Sequence, residues 1–295
     1  MQATPLLVAA AASLGIAVGV LHGSGSALAQ GPKSGVNKSG VNKSGVNKSG
    51  VERLYIIDCG NSVGPDKSRW TPGVDVGKPV AMVGSCYLIR HAQAWLLWDT
   101  GVSDAVAQMP GGRPGQGGSP HWHRPKTLAG ELQKLGVKPS DIKYLAISHT
   151  HPDHIGNVGL FPQSMLLVQK AEYEWPSPLG PRFKPEHPVT KLAGDHDVFG
   201  DGSVTIIATP GHTPGHQVLL VKLATTGAVL LTGDAVHFRE NWEKRYIPSN
   251  NVDREKTLAS YKRIEDVLAR HQAQIWFNHD KAQRDAQKLA PEYYE

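Results

Sequence analysis

Short apolar runs recur through residues 52–295 at lengths that suit strands. They fall at 53–57, 86–90, 94–98, 144–148, 166–169, 204–208, 217–223, 228–232 and 274–278. Helical periodicity is clear in two places. Leu128, Leu132 and Leu135 share one face, and Gly136 ends that helix. Further on, Asp253 can cap a helix that carries Leu258, Tyr261, Ile264 and Leu268 on one side. Many strands with a few amphipathic helices predict sheets covered by helices. The pattern alone does not separate a two-sheet sandwich from a single sheet. Two stretches show neither period. Residues 108–126 are packed with Gly and Pro and hold His121, Trp122 and His123, and residues 175–188 are rich in Pro. Such stretches read as binding loops or lids, with plain surface variability as the alternative.

The first 51 residues follow a different logic. Residues 6–21 are an apolar run, and Ala27-Leu28-Ala29 is a good cleavage site, so 1–29 reads as a secretory signal peptide cut before Gln30. The first four residues carry no Lys or Arg, which leaves an uncleaved anchor as the alternative to export into the periplasm. No other stretch is apolar enough to span a bilayer, so stable membrane insertion is not expected. Residues 33–51 repeat Lys-Ser-Gly-Val-Asn with a period of five. Such a segment buries too little surface to offset its ordering entropy. Residues 30–51 are therefore expected to be a disordered linker, a solvated spacer or a tether drawn to an anionic surface. Residues 52–295 have the size of one α/β domain.

The charge follows this division. The chain of 295 residues is 40% hydrophobic, enough for a core, and its net charge is +5. Lys33, Lys38, Lys43 and Lys48 supply four of those charges, leaving +1 over 52–295. A nucleic-acid binder would carry its excess on the folded domain, so no nucleic-acid partner is expected. Two cysteines make neither a disulfide scaffold nor a cysteine-rich zinc module. Cys59 and Cys86 either pair in an oxidising compartment or stay as buried thiols.

The 14 histidines are the unusual feature. In Ser148-His149-Thr150-His151-Pro152-Asp153-His154, His149 and His151 lie two apart on an extended chain and point the same way. Asp153 and His154 follow at a turn that can direct them to a second ion. Three imidazoles and a carboxylate so close together suit zinc or a similar borderline metal. Without a metal the group would repel itself once protonated and would cost desolvation. His212, Asp234 and His279 each end an apolar run, where the rim of a sheet gathers ligands.

This set, His149-x-His151-x-Asp153-His154 with His212, Asp234 and His279 downstream, resembles the metallo-β-lactamase superfamily. Leu97-Trp98-Asp99-Thr100-Gly101 is similar to its early Asp-containing turn. The resemblance covers roughly residues 53–292. It implies a single α/β domain, an αββα sandwich with a dinuclear site at the edge of two sheets. His149, His151 and His212 would hold one metal, Asp153, His154 and His279 the other, and Asp234 would bridge both. A bridging carboxylate sets the chain apart from true β-lactamases. His216 would support its loop by hydrogen bonds. Asp99 would orient a ligand histidine or simply cap its turn. The ions would be two divalent metals, Zn²⁺ first, with Fe, Mn or Co as alternatives.

Within the superfamily, Thr209-Pro-Gly-His-Thr-Pro-Gly-His-Gln217, Thr232-Gly-Asp234 and Asn278-His279-Asp280 look most like the N-acyl homoserine lactonases. That resemblance implies a small lactone substrate, opened by water that the two ions activate, and so a quorum-quenching hydrolase. Asp153 would orient the water or carry its proton. One departure stands out: His237 occupies the position of a substrate-contacting Tyr. It would donate to the carbonyl oxygen or be an ordinary loop histidine. Trp122, Met109 and Phe238 are either acyl-chain contacts or packing. The alternative functions are hydrolysis of another ester, a thioester or a phosphoester on the same fold, and non-catalytic binding of a metal or ligand. The oligomeric state is open, a homodimer included.

Overall fold

The computed structural model describes residues 50–177 and 181–295. The expected signal peptide, and the expected linker up to residue 49, lie outside the described residues. Seven strands form the first sheet: β1 (Val51–Gly64), β2 (Val80–His91), β3 (Trp95–Trp98), β4 (His121–His123), β5 (Ile142–Ala146), β6 (Met165–Gln169) and β7 (Val189–Leu192). Five form the second: β8 (His196–Asp197), β9 (Val204–Ala208), β10 (Gln217–Leu223), β11 (Gly227–Leu231) and β12 (Gln274–Trp276). The spatial orders are β4-β1-β2-β3-β5-β6-β7 and β12-β11-β10-β9-β8. The helices are α1 (Leu128–Lys134), α2 (Pro152–Ile155), α3 (Lys170–Tyr173), α4 (Arg239–Lys244), α5 (Arg254–His271) and α6 (Lys281–Asp285).

The sheets pack face to face, and the period-two pattern sorts their side chains. Leu54 and Ile56 of β1 point inward to a core shared with Ile206, Leu219, Val229 and Trp276 of the second sheet. Their neighbours Tyr55 and Ile57 point outward, against Leu128 and Leu132 of α1. On the opposite side Val218, Leu220 and Leu230 meet Tyr261, Ile264 and Val267 of α5. Both faces of each sheet are covered, which is why the strands read as continuous apolar runs rather than alternating ones. The layers are helix, sheet, sheet, helix, as the resemblance implied. The expected caps are present: the Asp253 carboxylate accepts from Lys256 N at 3.0 Å, and Gly136 takes φ +70° just beyond α1.

The loop expectation over 108–126 needs correction. His121–His123 is a strand, paired with Asn61–Val63 at the edge of the first sheet. Three residues are too few to show periodicity, and only the neighbouring strand reveals them. Strands β7 and β8 were also missed; their residues lack an apolar run because each is the edge strand of its sheet. Cys59 and Cys86 form a disulfide, with Cα atoms 5.7 Å apart on adjacent strands β1 and β2. Among the described residues no helix is long and apolar enough to cross a membrane.

Candidate metal centre

Topology gathers the ligands before any side chain is considered. Strands β3, β5 and β6 run parallel, as do β11 and β12, and β9 is antiparallel to β10, which is antiparallel to β11. The carboxyl ends of β3, β5, β9, β11 and β12 therefore open onto one rim. Asp99, His149, His212, Asp234 and His279 follow those ends. His151 precedes α2 as its N-cap, Pro152 starts the helix, and one tight turn brings Asp153 and His154 to the same rim.

Two donor sets form from the expected ligands, and a third grouping, Asp234 with His237 and His279, overlaps both. His149, His151, His212 and Asp234 have donor atoms within 4.8 Å of one another, and so do Asp153, His154 and His279. In the first set His151 Nδ1 lies 2.8 Å from His149 Nε2 and 3.0 Å from His212 Nε2. Asp234 Oδ2 stands 3.7 and 3.5 Å from those same two nitrogens. The other Asp234 oxygen, Oδ1, faces the second set, 3.2 Å from His154 Nε2 and 2.9 Å from His279 Nε2. Asp153 Oδ2 is 3.8 Å from each of those nitrogens. Ligand atoms around a four-coordinate zinc, with bonds of about 2.0–2.1 Å, are roughly 3.4 Å apart. The donor separations straddle that value. His154 Nε2 and Asp234 Oδ1 are buried and close, yet neither has a well-directed hydrogen-bond partner, as atoms aimed at a common cation would be. The residues fit two metals with Asp234 between them.

The far side of four of the five ligand imidazoles is held by a partner that fixes which nitrogen is free. His154 Nδ1 donates to Asp99 Oδ2 at 2.9 Å, and His279 Nδ1 to the Val83 carbonyl at 2.7 Å. His212 Nδ1 donates to Asn251 Oδ1 at 2.8 Å. Asp99 also accepts from Ser148 N at 2.6 Å and Ser148 Oγ at 2.9 Å. That leaves the Ser148 oxygen to accept from His149 Nδ1 at 3.1 Å. Asp99 therefore orients a ligand histidine; its φ of +57° is one that Asp tolerates. His216 holds the loop, not a metal. Its Nε2 accepts from Asp234 N at 3.0 Å and Ala235 N at 3.1 Å, and its Nδ1 donates to Thr209 Oγ1 at 3.0 Å. A Cβ on Gly233 would stand 2.6 Å from Ser148 Cβ and 2.9 Å from His216 Nε2. Only glycine lets the chain come this close just before the bridging residue.

Burial and charge set the protonation of the metal-free cluster. Burial first, then neighbouring imidazoles, hold His149 and His212 well below the ordinary histidine range, and burial lowers His151. Burial takes His216 down to about 3. For His154 and His279 burial also opposes charge, but Asp234 outweighs it, joined by Asp99 and Asp153 at His154, and both are raised. The Asp234 carboxyl is held well below its ordinary range: burial opposes this, and His279, His237 and His154 overcome it.

His237 is buried, with Nε2 3.2 Å from Asp234 Oδ2 and Nδ1 without a hydrogen-bond partner. A cleft of about 630 Å³ opens over the cluster, lined by His151, Asp153, Asp234, His237 and Trp122 among others. Trp122 thus faces the cleft, whereas Phe238 packs with Trp70 and Met82. Met109 is 43% exposed and stands apart from the cleft lining. Glu172 escaped the sequence reading. It is fully buried and accepts from Thr150 N at 2.7 Å, Thr150 Oγ1 at 2.6 Å and Gly215 N at 3.0 Å. It ties the loop of His149 and His151 to the loop of His212. Nothing near Glu172 in sequence signals this, because its partners come from two distant loops.

Comparison with known proteins agrees with this geometry. The profile of the Metallo-beta-lactamase superfamily matches residues 79–270. An N-acyl homoserine lactonase from Bacillus sp is 33% identical over 253 residues, 82% of this chain and 98% of that protein. The N-acyl homoserine lactonase AttM of Rhizobium johnstonii is 33% identical over 268 residues, with the same two coverages. A solved N-acyl homoserine lactone hydrolase, with the product N-hexanoyl-L-homoserine bound at its catalytic metal center, superposes with a TM-score of 0.73 at 30% identity. That match covers 82% of this chain and 99% of the other. With the ligand set, the sandwich and these matches in agreement, the chain belongs to the metallo-β-lactamase superfamily and, within it, to the N-acyl homoserine lactonase family.

Proposed function

We propose that the protein is a dinuclear metal-dependent hydrolase that opens the ring of N-acyl homoserine lactones. The observation that carries this is the bridging position of Asp234 between two complete donor sets at the floor of a cleft, in a chain that spans 98% of a lactonase one-third identical to it. Zn²⁺ is the metal we expect, from the nitrogen-rich donors and their tetrahedral spacing. Two divalent ions held here would supply Lewis acidity for the lactone carbonyl and would lower the pKa of water to about 7.

The chain's own groups do the rest. Asp153, its side chain 18% exposed beside the cleft, can take a proton from the attacking water on the carboxylate oxygen not turned to the donor set and return it to the ring oxygen as the C–O bond breaks. His237 Nε2 stands 3.2 Å from Asp234 Oδ2, which can only accept, and a neutral ring that donates there keeps Nδ1 as its acceptor. Donation from His237 to the carbonyl oxygen therefore requires the doubly protonated imidazole. In the neutral ring Nδ1 suits a substrate N–H instead. The test is steady-state hydrolysis of short- and long-chain N-acyl homoserine lactones by the full chain loaded with Zn²⁺, followed by proton release. Turnover that a chelator abolishes supports the reading, and a protein with two bound metals and no turnover defeats it. His237→Ala should lower turnover with both metals retained.

We further infer export to the periplasm, from the apolar run and the Ala-x-Ala site of residues 1–29. Cell fractionation with and without those residues tests it, and an equal cytoplasmic yield in both cases would overturn it.

A further inference from the structure

The cleft has a cationic wall that the metal ligands do not account for. Arg69 and Arg113 both line it, each half-buried. Their backbones are fixed. The Arg69 carbonyl accepts from Ser249 N at 2.9 Å and Ser249 Oγ at 3.0 Å. Arg113 exchanges two backbone hydrogen bonds with Trp122, at 2.7 and 2.9 Å. The Arg69 guanidinium lies 6.0 Å from the Trp70 ring and crosses to the Gly117 carbonyl at 2.9 Å. The loop packs onto it so closely that a Cβ on Gly118 would sit 2.4 Å from Nη1. Neither guanidinium forms an ion pair among the described residues. Among the described residues, Asp153 and Asp234 are the only acids lining the cleft, and both belong to the metal cluster. Two divalent cations more than cancel these two carboxylates, so the loaded cleft is positive even before the arginines are counted. A purely alkyl acyl chain laid here would strip water from two guanidinium groups and give nothing back. A carboxylate matches their planar donor forks, and Trp70, Trp122 and Pro120 flank the space with apolar surface for a short stem.

We propose that Arg69 and Arg113 are specificity residues that select lactones whose N-acyl chain ends in a carboxylate. The proposal rests on the lactonase reading above. It is tested by comparing kcat/KM of the full-length, Zn²⁺-loaded enzyme for N-glutaryl homoserine lactone and for its neutral isostere, the glutaramide. At low ionic strength the carboxylate substrate should lead by about tenfold, the scale of one charge-assisted hydrogen bond. Added salt should shrink that ratio. Arg113→Gln and Arg69→Gln should each pull it toward one. Lys262→Gln removes the same charge from a side chain 77% exposed on α5 and should leave the ratio as in the wild type. A wild-type ratio of one or less, or a ratio unmoved by both arginine variants, overturns the proposal while the lactonase reading stands on turnover of the neutral substrate. The lactonase reading is defeated if neither compound nor the alkyl N-acyl homoserine lactones are turned over. Calorimetric binding of the two ring-opened products to the wild type and the arginine variants then decides the cationic wall alone: equal affinities overturn it, and a carboxylate preference lost in the variants upholds it.

Discussion

Replacing His216 with alanine isolates the role of a residue that touches no substrate. The wild-type ring accepts from the backbone N–H groups of Asp234 and Ala235 and donates to Thr209 Oγ1. His216→Ala leaves two buried N–H groups without an acceptor, at about 1–3 kcal/mol each. The middle of the combined range, about 4 kcal/mol, is the loss of unfolding free energy we expect near neutral pH. The effect should depend on pH. Burial holds the folded-state pKa at about 3, against about 6.5 in the unfolded chain. The unfolded chain therefore takes up this proton first. The wild type's stability from this group is whole above pH 6.5 and falls as pH drops toward 3. At pH 5 that loss is about 2 kcal/mol, from 1.36 kcal/mol per pH unit. The variant has no such proton to gain, so its deficit against the wild type should narrow from about 4 to about 2 kcal/mol between pH 7.5 and pH 5. Denaturant unfolding of metal-free protein at the two pH values measures this, and metal stoichiometry at pH 7.5 shows whether Asp234 still bridges. A deficit that is negligible at pH 7.5, or that widens on acidification, would refute the reasoning.

Other expectations follow from the same geometry. Asp99→Asn keeps the shape but loses the charge that faces His154 Nδ1 and Ser148; metal affinity or turnover should fall about 10–100-fold, read by chelator competition and kcat. Cys86→Ser opens a cross-link between positions 27 apart and should cost about 3 kcal/mol, seen as a lower Tm that reductant reproduces in the wild type. Metal binding must displace the protons that Asp234 holds on His154 and His279, whose pKa values are raised. Zn²⁺ titration of the metal-free protein at pH 6.5 should therefore release protons into an indicator, and a silent titration would contradict that protonation. Ile264→Ala, in the fully buried seam between α5 and the second sheet, should cost 2–5 kcal/mol of stability, on the order of other such truncations, with metal stoichiometry intact.

Much of this protein was legible in its sequence. Among the described residues the apolar runs located nine of the twelve strands, and the capped periodic segments located α1 and α5, because burial and capping act over a few neighbouring residues. His149, His151, Asp153 and His154 announced a metal centre by crowding, since such a group has no inexpensive metal-free environment. The placement of His212, Asp234 and His279, each at the end of an apolar run, and the resemblance to a known family completed the donor set. Tertiary structure decided what depends on distant chain segments meeting. Strand β4 exists only because β1 lies beside it. Cys59 and Cys86 pair because two long strands are in register. Val83, Glu172 and Asn251 support ligands from 196, 22 and 39 residues away, and no local pattern marks them. Arg69 and Arg113 share a wall because the loops that carry them close over the same rim. The ligands are dictated by their own chemistry and so are written in the sequence. Their orientation and the character of the cleft come from hydrogen bonds and charges between segments that only folding brings together.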